Sequence, residues 1–296
     1  MDSRNADGGK YMYKKQMLSV LGLVLLLTVL WAGIRLLPGM GYGQQELLTI
    51  TALPVGKADA LIVEVGEQVI LIDAGEKEDG EKVVRALRDR GISRIDLFLV
   101  THFDRDHVGG AAYVMGQMEV AGVLLPDYEG DRPEYAELLA CLREHPDVQR
   151  VTEPWKASVG ELQVTVYPPE DPEEIRSQEG EYDNDMSLVT SIAYGNRRFL
   201  LTGDIESCRI RQMLAEDTDW KHDWIKMPHH GRYEQELSDL LGAVAPEMAV
   251  ICCSEKHPAE EETLALLEEY GIPVWDTKEQ AVVTVCDGDR ITAEYQ

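Results

Sequence analysis

A chain of 296 residues, 44% hydrophobic, can bury the core of one large domain or two small ones, which excludes a disordered polyelectrolyte. Its formal net charge of −26 sets up a field that repels nucleic acid and anionic lipid at low salt and draws in cations, and no basic nucleic-acid-binding patch is evident along the sequence. The five cysteines (Cys141, Cys208, Cys252, Cys253, Cys286) form no C-x-x-C pair and are odd in number, so neither a zinc knuckle nor a full disulfide framework is indicated. Cys252 and Cys253 sit in an apolar run and read as small buried hydrophobes.

Residues 17–34 carry no charge, and 18 residues at ~1.5 Å each nearly cover the hydrocarbon of a bilayer. The chain is therefore expected to comprise a tail (1–16), one transmembrane anchor (17–37), a Gly-containing linker (38–46) and a folded domain (47–296). Lys10, Lys14 and Lys15 precede the anchor and only Arg35 closely follows it, which places the tail in the cytoplasm and the domain outside the cell membrane. Trp31-Ala32-Gly33-Ile34-Arg35-Leu36 offers no A-x-A cleavage spacing, so an uncleaved single-pass anchor is expected. Residues 1–37 hold five basic and two acidic side chains, so the remainder is three charges more negative than the whole, at −29.

Beyond the linker, apolar or alternating segments at 47–55, 60–65 and 69–72 predict strands, the last two punctuated by Gly66-Glu67. Asp73 falls at the end of the third. A helix over 80–90 follows, with Val83, Val84 and Leu87 on one face and Gly91 as its stop. The run at 95–100 predicts a buried strand that delivers His102, Asp104, Asp106 and His107, and a helical pattern begins at Val108. Alternate positions of an extended segment point the same way, so His102 and Asp104 are expected to converge on one point while Asp106 and His107 face a second. The bland alternative is a solvated acidic loop. Imidazole with carboxylate suits Zn, Mn or Fe, and paired metals activate water against esters.

Strand, polar loop and helix recur in the second half. Segments 188–194 and 198–202 predict a hairpin around Gly195-Asn196 that ends in Gly203-Asp204. A helix (205–215), a strand (224–227) ending in Pro228-His229-His230-Gly231, another helix, a strand (248–254), a helix (259–270) and two last strands complete an α/β layered fold. His145 reads as a cation near a helix C-terminus, and His222 as a surface residue.

With these pieces in place, residues 47–295 resemble the metallo-β-lactamase superfamily. The HxHxDH loop of that family appears as His102-Phe103-Asp104-Arg105-Asp106-His107. The Asp in place of the second His is shared with the extracytoplasmic hydrolase domain of ComEC-type DNA-uptake (competence) proteins. Val55-Gly56-Lys57-Ala58-Asp59-Ala60, Leu71-Ile72-Asp73-Ala74-Gly75, Asn184-Asp185-Met186-Ser187-Leu188-Val189, Leu200-Leu201-Thr202-Gly203-Asp204, Lys226-Met227-Pro228-His229-His230-Gly231 and His257-Pro258 match in order.

The resemblance implies an αβ/βα four-layer sandwich and two divalent metal ions, Zn or Mn. His102 and Asp104 would hold one, Asp106 and His107 the other with His230, and Asp204 would bridge them. His229 is the alternative to His230 and, with Asp106, a candidate catalytic group. Asp73 would orient the ligand loop, and Asn184, Ser187 and His257 would support the site or contact substrate. The third histidine of the first site is missing. The implied function is a membrane-anchored metal-dependent phosphodiesterase or nuclease acting on single-stranded DNA or another phosphodiester. The alternatives are hydrolysis of a phosphocholine- or teichoic-acid-type ester, lactone or lactam, and a non-catalytic tethered binding domain. No channel-forming multi-helix region accompanies the domain.

Overall fold

The computed structural model describes residues 46–177 and 182–296. The expected anchor (17–37) lies outside these residues, and among the described ones no helix is long and apolar enough to cross a membrane. The described part begins at Glu46 and forms one compact unit to Gln296.

In chain order, β1 (Leu48–Ala52), β2 (Leu61–Val65) and β3 (Gln68–Ile72) make an antiparallel meander. The helix α1 (Gly80–Asp89) then crosses to β4 (Arg94–Leu99), parallel to β3. Short helices α2 (Arg105–Val108) and α3 (Ala111–Gln117) lead to β5 (Glu119–Pro126), and α4 (Pro133–Leu142) to β6 (Val148–Val151), both strands again parallel to their predecessors. The chain switches sheets through β7 (Trp155–Val159) and β8 (Leu162–Tyr167), then passes α5 (Pro172–Ser177) and α6 (Tyr182–Asp185).

The predicted hairpin follows as β9 (Val189–Tyr194) and β10 (Arg197–Leu201). Three parallel strands then alternate with helices: α7 (Ser207–Ala215), β11 (Trp224–Lys226), α8 (Leu237–Val244), β12 (Met248–Ile251), α9 (Glu261–Glu269) and β13 (Val274–Asp276). Finally β14 (Val282–Cys286) and β15 (Ile291–Tyr295) return to the first sheet beside β1. The sheets run β15-β14-β1-β2-β3-β4-β5-β6 and β13-β12-β11-β10-β9-β8-β7.

Alternation along the strands explains the layers, because successive side chains leave a strand on opposite faces. Leu61, Val63, Ile70, Ile72, Leu97 and Leu99 of the first sheet meet Phe199, Leu201, Trp224 and Val250 of the second in one buried cluster. The intervening Ile62, Leu71, Phe98 and Val123 pack outward under α1, α3 and α4, through Val83, Leu87, Val114 and Leu138. On the far side Leu200, Ile225, Ala249 and Ile251 pack under α7, α8 and α9 through Ile210, Met213, Leu240 and Leu267. Helix, sheet, sheet, helix is the four-layer αβ/βα sandwich. Strands apolar on both faces read as unbroken hydrophobic runs, which is why these were visible in the sequence.

The helix expected to start at Val108 begins earlier, at Arg105, and breaks at Gly109-Gly110 before α3. A Cβ on Gly110 would fall 2.2 Å from the carbonyl oxygen of Ala74, so only glycine lets the loop press against the end of β3.

Candidate metal centre

Five strands end at one edge of the sandwich and hand over polar residues there: β3 to Asp73, β4 to Thr101 and His102, β10 to Asp204, β11 to His229 and His230, and β12 to Cys252. The C-terminal ends of parallel strands are where α/β sheets hold ligands, since the following loops are free of ladder pairing. Asp73, His229 and His230 have φ of 57°, 44° and 55°, a region sparsely used by residues with a Cβ, so the fold fixes three polar side chains at some cost in strain.

His107 and His230 face one carboxylate. Nε2 of His107 is 3.2 Å and Nε2 of His230 is 3.1 Å from Oδ2 of Asp204, and Nε2 of His230 is 3.3 Å from Oδ2 of Asp106. Asp59, His107, Asp204 and His230 are all buried, with donor atoms within 4.8 Å of one another. Both imidazoles are held from behind: Nδ1 of His107 donates to Asp73 Oδ2 at 2.8 Å, and Nδ1 of His230 to the Cys252 carbonyl at 2.9 Å. With Nδ1 donating, Nε2 is the atom left to face an ion, which would replace the proton that the neighbouring carboxylates favour there, and neither Nε2 has a partner in hydrogen-bond geometry. Buried imidazole nitrogens left in this way, aimed with two carboxylates at one point, fit a divalent metal.

His102 is different. It is buried with its ring centroid 4.0 Å from that of His107, its Nδ1 lies 3.1 Å from Thr101 Oγ1 and 3.2 Å from Ser187 Oγ, and its Nε2 is unpartnered. Ser187 Oγ also accepts the backbone N–H of Asp204 at 3.1 Å. Asp104, expected to converge with His102, instead sits at the N-terminus of α2 with its Oδ1 3.4 Å from Arg132 Nη2. Among the described residues, no cluster of three or more donors takes in either His102 or Asp104. Asp104 keeps extended backbone angles, φ −69° and ψ 148°, and its carboxylate is turned to Arg132.

Charge within the centre is strongly coupled. Burial would push His230 down, but Asp204, Asp106 and Asp59 outweigh it and lift the imidazole to about 9. His107 is likewise raised well above its usual range despite burial, by Asp204, Asp73 and Asp59. His102, buried beside His107, is pushed well down. Burial alone would raise Asp204, yet His107, His230 and Lys226 hold it well below the ordinary carboxylate range. Lys226 is itself buried, with Nζ on Asp59 Oδ2, on the Gly203 carbonyl at 2.9 Å and on Asp204 Oδ1 at 3.2 Å, and these carboxylates keep it charged against burial.

The sequence profile of the metallo-beta-lactamase superfamily matches residues 53–255, well over half of the chain. The chain belongs to that superfamily. Among similar proteins are ComE operon protein 3 of Bacillus subtilis (strain 168), 25% identical over 256 residues, and competence protein ComA of Neisseria gonorrhoeae, 26% identical over 217. The matches take in 79% and 71% of this chain but only 32% and 28% of those proteins, so the chain spans about a third or less of their length. Its likeness to competence proteins of the ComEC type is thus shown for this domain. Solved structures of similar fold include Tm1679, a metal-dependent hydrolase of the beta-lactamase superfamily (TM-score 0.53, 13% identity, 85% of this chain and 100% of that one). Another is Igni18, a metallo hydrolase from Ignicoccus hospitalis KIN4/I (TM-score 0.52, 18% identity, 79% and 98%).

Above this candidate metal centre lies an open cleft of ≈ 410 Å³, lined by Lys57, Asp104, Arg105, Asp106, Arg132, Asn184, Asp204, His229 and Arg232. His229 turns away from the cluster, with Nδ1 3.0 Å from Glu206 Oε1, which also accepts Asn184 Nδ2 at 3.0 Å. His257 is exposed in an adjoining recess with His229, His230 and Lys57. No basic stripe is visible along the sequence, but folding gathers four cations, Lys57, Arg105, Arg132 and Arg232, at the mouth of this cleft.

Two other histidines fall elsewhere. His145 lies beyond the end of α4, its Nε2 2.9 Å from the Val120 carbonyl. His222, expected at the surface, is buried between Ser191 Oγ at 2.7 Å and the Trp220 carbonyl at 2.8 Å. All five cysteines are free.

Asp59, Lys226 and Glu206 went unassigned in the sequence. Lys226 carried a usable signal, a lysine inside the otherwise apolar Trp224-Ile225-Lys226-Met227. Asp59 stood within a matched motif, whereas Glu206 had nothing to mark it among 54 acidic residues.

Proposed function

We propose that the chain is a membrane-anchored, extracytoplasmic, metal-dependent phosphodiesterase acting on single-stranded DNA or another anionic phosphodiester. The observation that carries this reading is one juxtaposition: the Nε2 atoms of His107 and His230 converge with Asp106 and Asp204 at a cleft that Lys57, Arg105, Arg132 and Arg232 also line. In a protein of net charge −26, cations collected at one cleft favour an anionic substrate. The similarity to competence proteins supports a nucleic acid in that role.

Asp106, His107, Asp204 and His230 would hold the ion, and imidazole with carboxylate suits Zn and Mn alike. When bound, such an ion supplies Lewis acidity and lowers the pKa of water. The chain's own residues do the rest. Lys57, Arg105, Arg132 and Arg232 draw the phosphate to the cleft. Asp106 accepts a hydrogen bond from the attacking water, and Asn184 steadies the substrate. His229, with Nδ1 3.0 Å from the Glu206 carboxylate, would in its imidazolium form donate the Nε2 proton to the leaving oxygen.

The test is hydrolysis of bis-p-nitrophenyl phosphate and of single-stranded DNA with Mn and with Zn, by wild type and Asp204→Ala. Wild type should turn over both and the variant neither. Equal rates in the metal-free protein would remove the mechanism, and DNA left intact under both metals would leave only the smaller phosphocholine- or teichoic-acid-type esters, lactones and lactams. A second reading, a tethered binding domain without catalysis, is favoured by the engagement of Asp104 with Arg132. Turnover in the same assay would end it. For the sidedness, protease added to intact cells should digest the domain, and full protection until lysis would place it in the cytoplasm.

A further inference from the structure

We infer that this domain is built for one tightly held divalent ion, with Lys226 and Arg132 supplying in protein form the positive charge that a second ion would bring. The inference rests on the metal-centre reading above and departs from the paired-metal expectation. Three observations carry it.

The first is the count of donors. Asp59, His107, Asp204 and His230 form one set, which Asp106 adjoins 3.3 Å from His230 Nε2, and Glu206, His229 and Glu234 form a separate one, whereas the buried Nε2 of His102, although its ring stacks beside His107, belongs to no cluster of three or more donors among the described residues. One donor does not hold a divalent ion against water.

The second is that Asp204 and Asp104 each already face a cation of the protein. Asp204 turns Oδ2 to the two histidines and Oδ1 to the Lys226 ammonium, so a bridging role for its carboxylate would require displacing a buried lysine. Asp104 Oδ1 faces the Arg132 guanidinium. The residues at the position of the missing histidine are also committed: Asn184 to Glu206, and Ser187 to His102 and the Asp204 backbone.

The third is charge. Asp59, Asp106 and Asp204 face the cluster and Lys226 offsets one of them, leaving two, which is the charge of one divalent ion. Asp73 lies behind His107, satisfied by the Thr101 N–H, the Thr101 hydroxyl and the His107 Nδ1–H. Counting the Asp73 carboxylate as well, a second ion would turn the pocket net positive, and buried uncompensated charge is costly.

The test is metal stoichiometry on the full-length chain in mild detergent, by elemental analysis after desalting and by calorimetric titration with Mn and with Zn. One equivalent should be retained, and any second should bind at least ~100-fold more weakly. His230→Ala should lose the tight equivalent. Arg132→Ala, an exposed substitution that frees Asp104, should tighten the second equivalent about tenfold or more. Two equivalents of matched affinity in wild type would overturn the inference while leaving the hydrolase reading intact. Unchanged second-site affinity in Arg132→Ala would overturn the assignment of Arg132 as a built-in counter-charge. Retention of no metal at all would sink the metal-centre reading itself, and the inference with it.

Discussion

Nδ1 of His107 donates to Oδ2 of Asp73 across 2.8 Å, and Asp73 reaches that position only by adopting a φ of 57°. The same carboxylate takes the backbone N–H and hydroxyl of Thr101, so one side chain sets both the loop after β4 and the tautomer of the imidazole. Asp73→Asn, which tolerates the left-handed region better than alanine would, should lower metal affinity about 10–100-fold by removing that anionic acceptor. Competition against a fluorescent chelator measures it. An unchanged affinity would mean that Asp73 serves only the loop.

The cleft mouth makes a prediction of a different kind. Lys57 is exposed and has no ion-pair partner among the described residues, while Arg105, Arg132 and Arg232 each lie near a carboxylate. Lys57→Glu should therefore raise KM for an anionic phosphodiester by about tenfold with kcat nearly unchanged, and the effect should shrink as salt is added. A neutral ester should not notice. A kcat effect without a KM effect would move Lys57 from substrate capture to the chemistry.

His222 gives a pH dependence away from the metal centre. Burial, and then Arg198, carry this imidazole from an ordinary 6.5 to about 4. A histidine lowered on folding is neutral in the native state, so its contribution is full above pH 6.5 and is lost as pH falls from 6.5 towards 4, up to about 3 kcal/mol. His222→Gln should be less stable than wild type near pH ~7.5, with a gap that narrows towards pH ~5. Urea unfolding in the presence of chelator reads this directly. A gap constant with pH would show that the ring is not what titrates.

Much of this molecule was legible because its informative strands are buried on both faces. β3, β4, β10 and β11 appear in the sequence as short apolar runs that stop at polar residues, and the stops are the site. The segment from β5 to β8 was not read, and β7 shows why: its residues alternate between half-buried and exposed at the edge of the second sheet, so no run forms. The contact of Asp104 with Arg132 was not legible, because 28 residues separate the two and only the fold brings them together. Lys57, Arg105, Arg132 and Arg232 are too scattered to make a patch by sequence, and only the closing of the two sheets brings them together. His222 was taken for surface because a histidine between Lys221 and Asp223 carries no apolar pattern, although the fold shuts it under Trp220.

Asp59 and Lys226 come from opposite halves of the chain, one from the loop before β2 and one from the end of β11, and they meet in a pair sealed from water. His107 and Asp204 span the same seam. The centre is therefore also a clasp: the contacts that shape it close a long loop of chain, and whatever ion they hold acts as a removable crosslink whose grip on the folded state grows with its free concentration. Starving the protein of metal should first part the seam at this edge, so that the rate of hydrogen exchange in the loops after β4 and β11 reports metal supply before any substrate is offered.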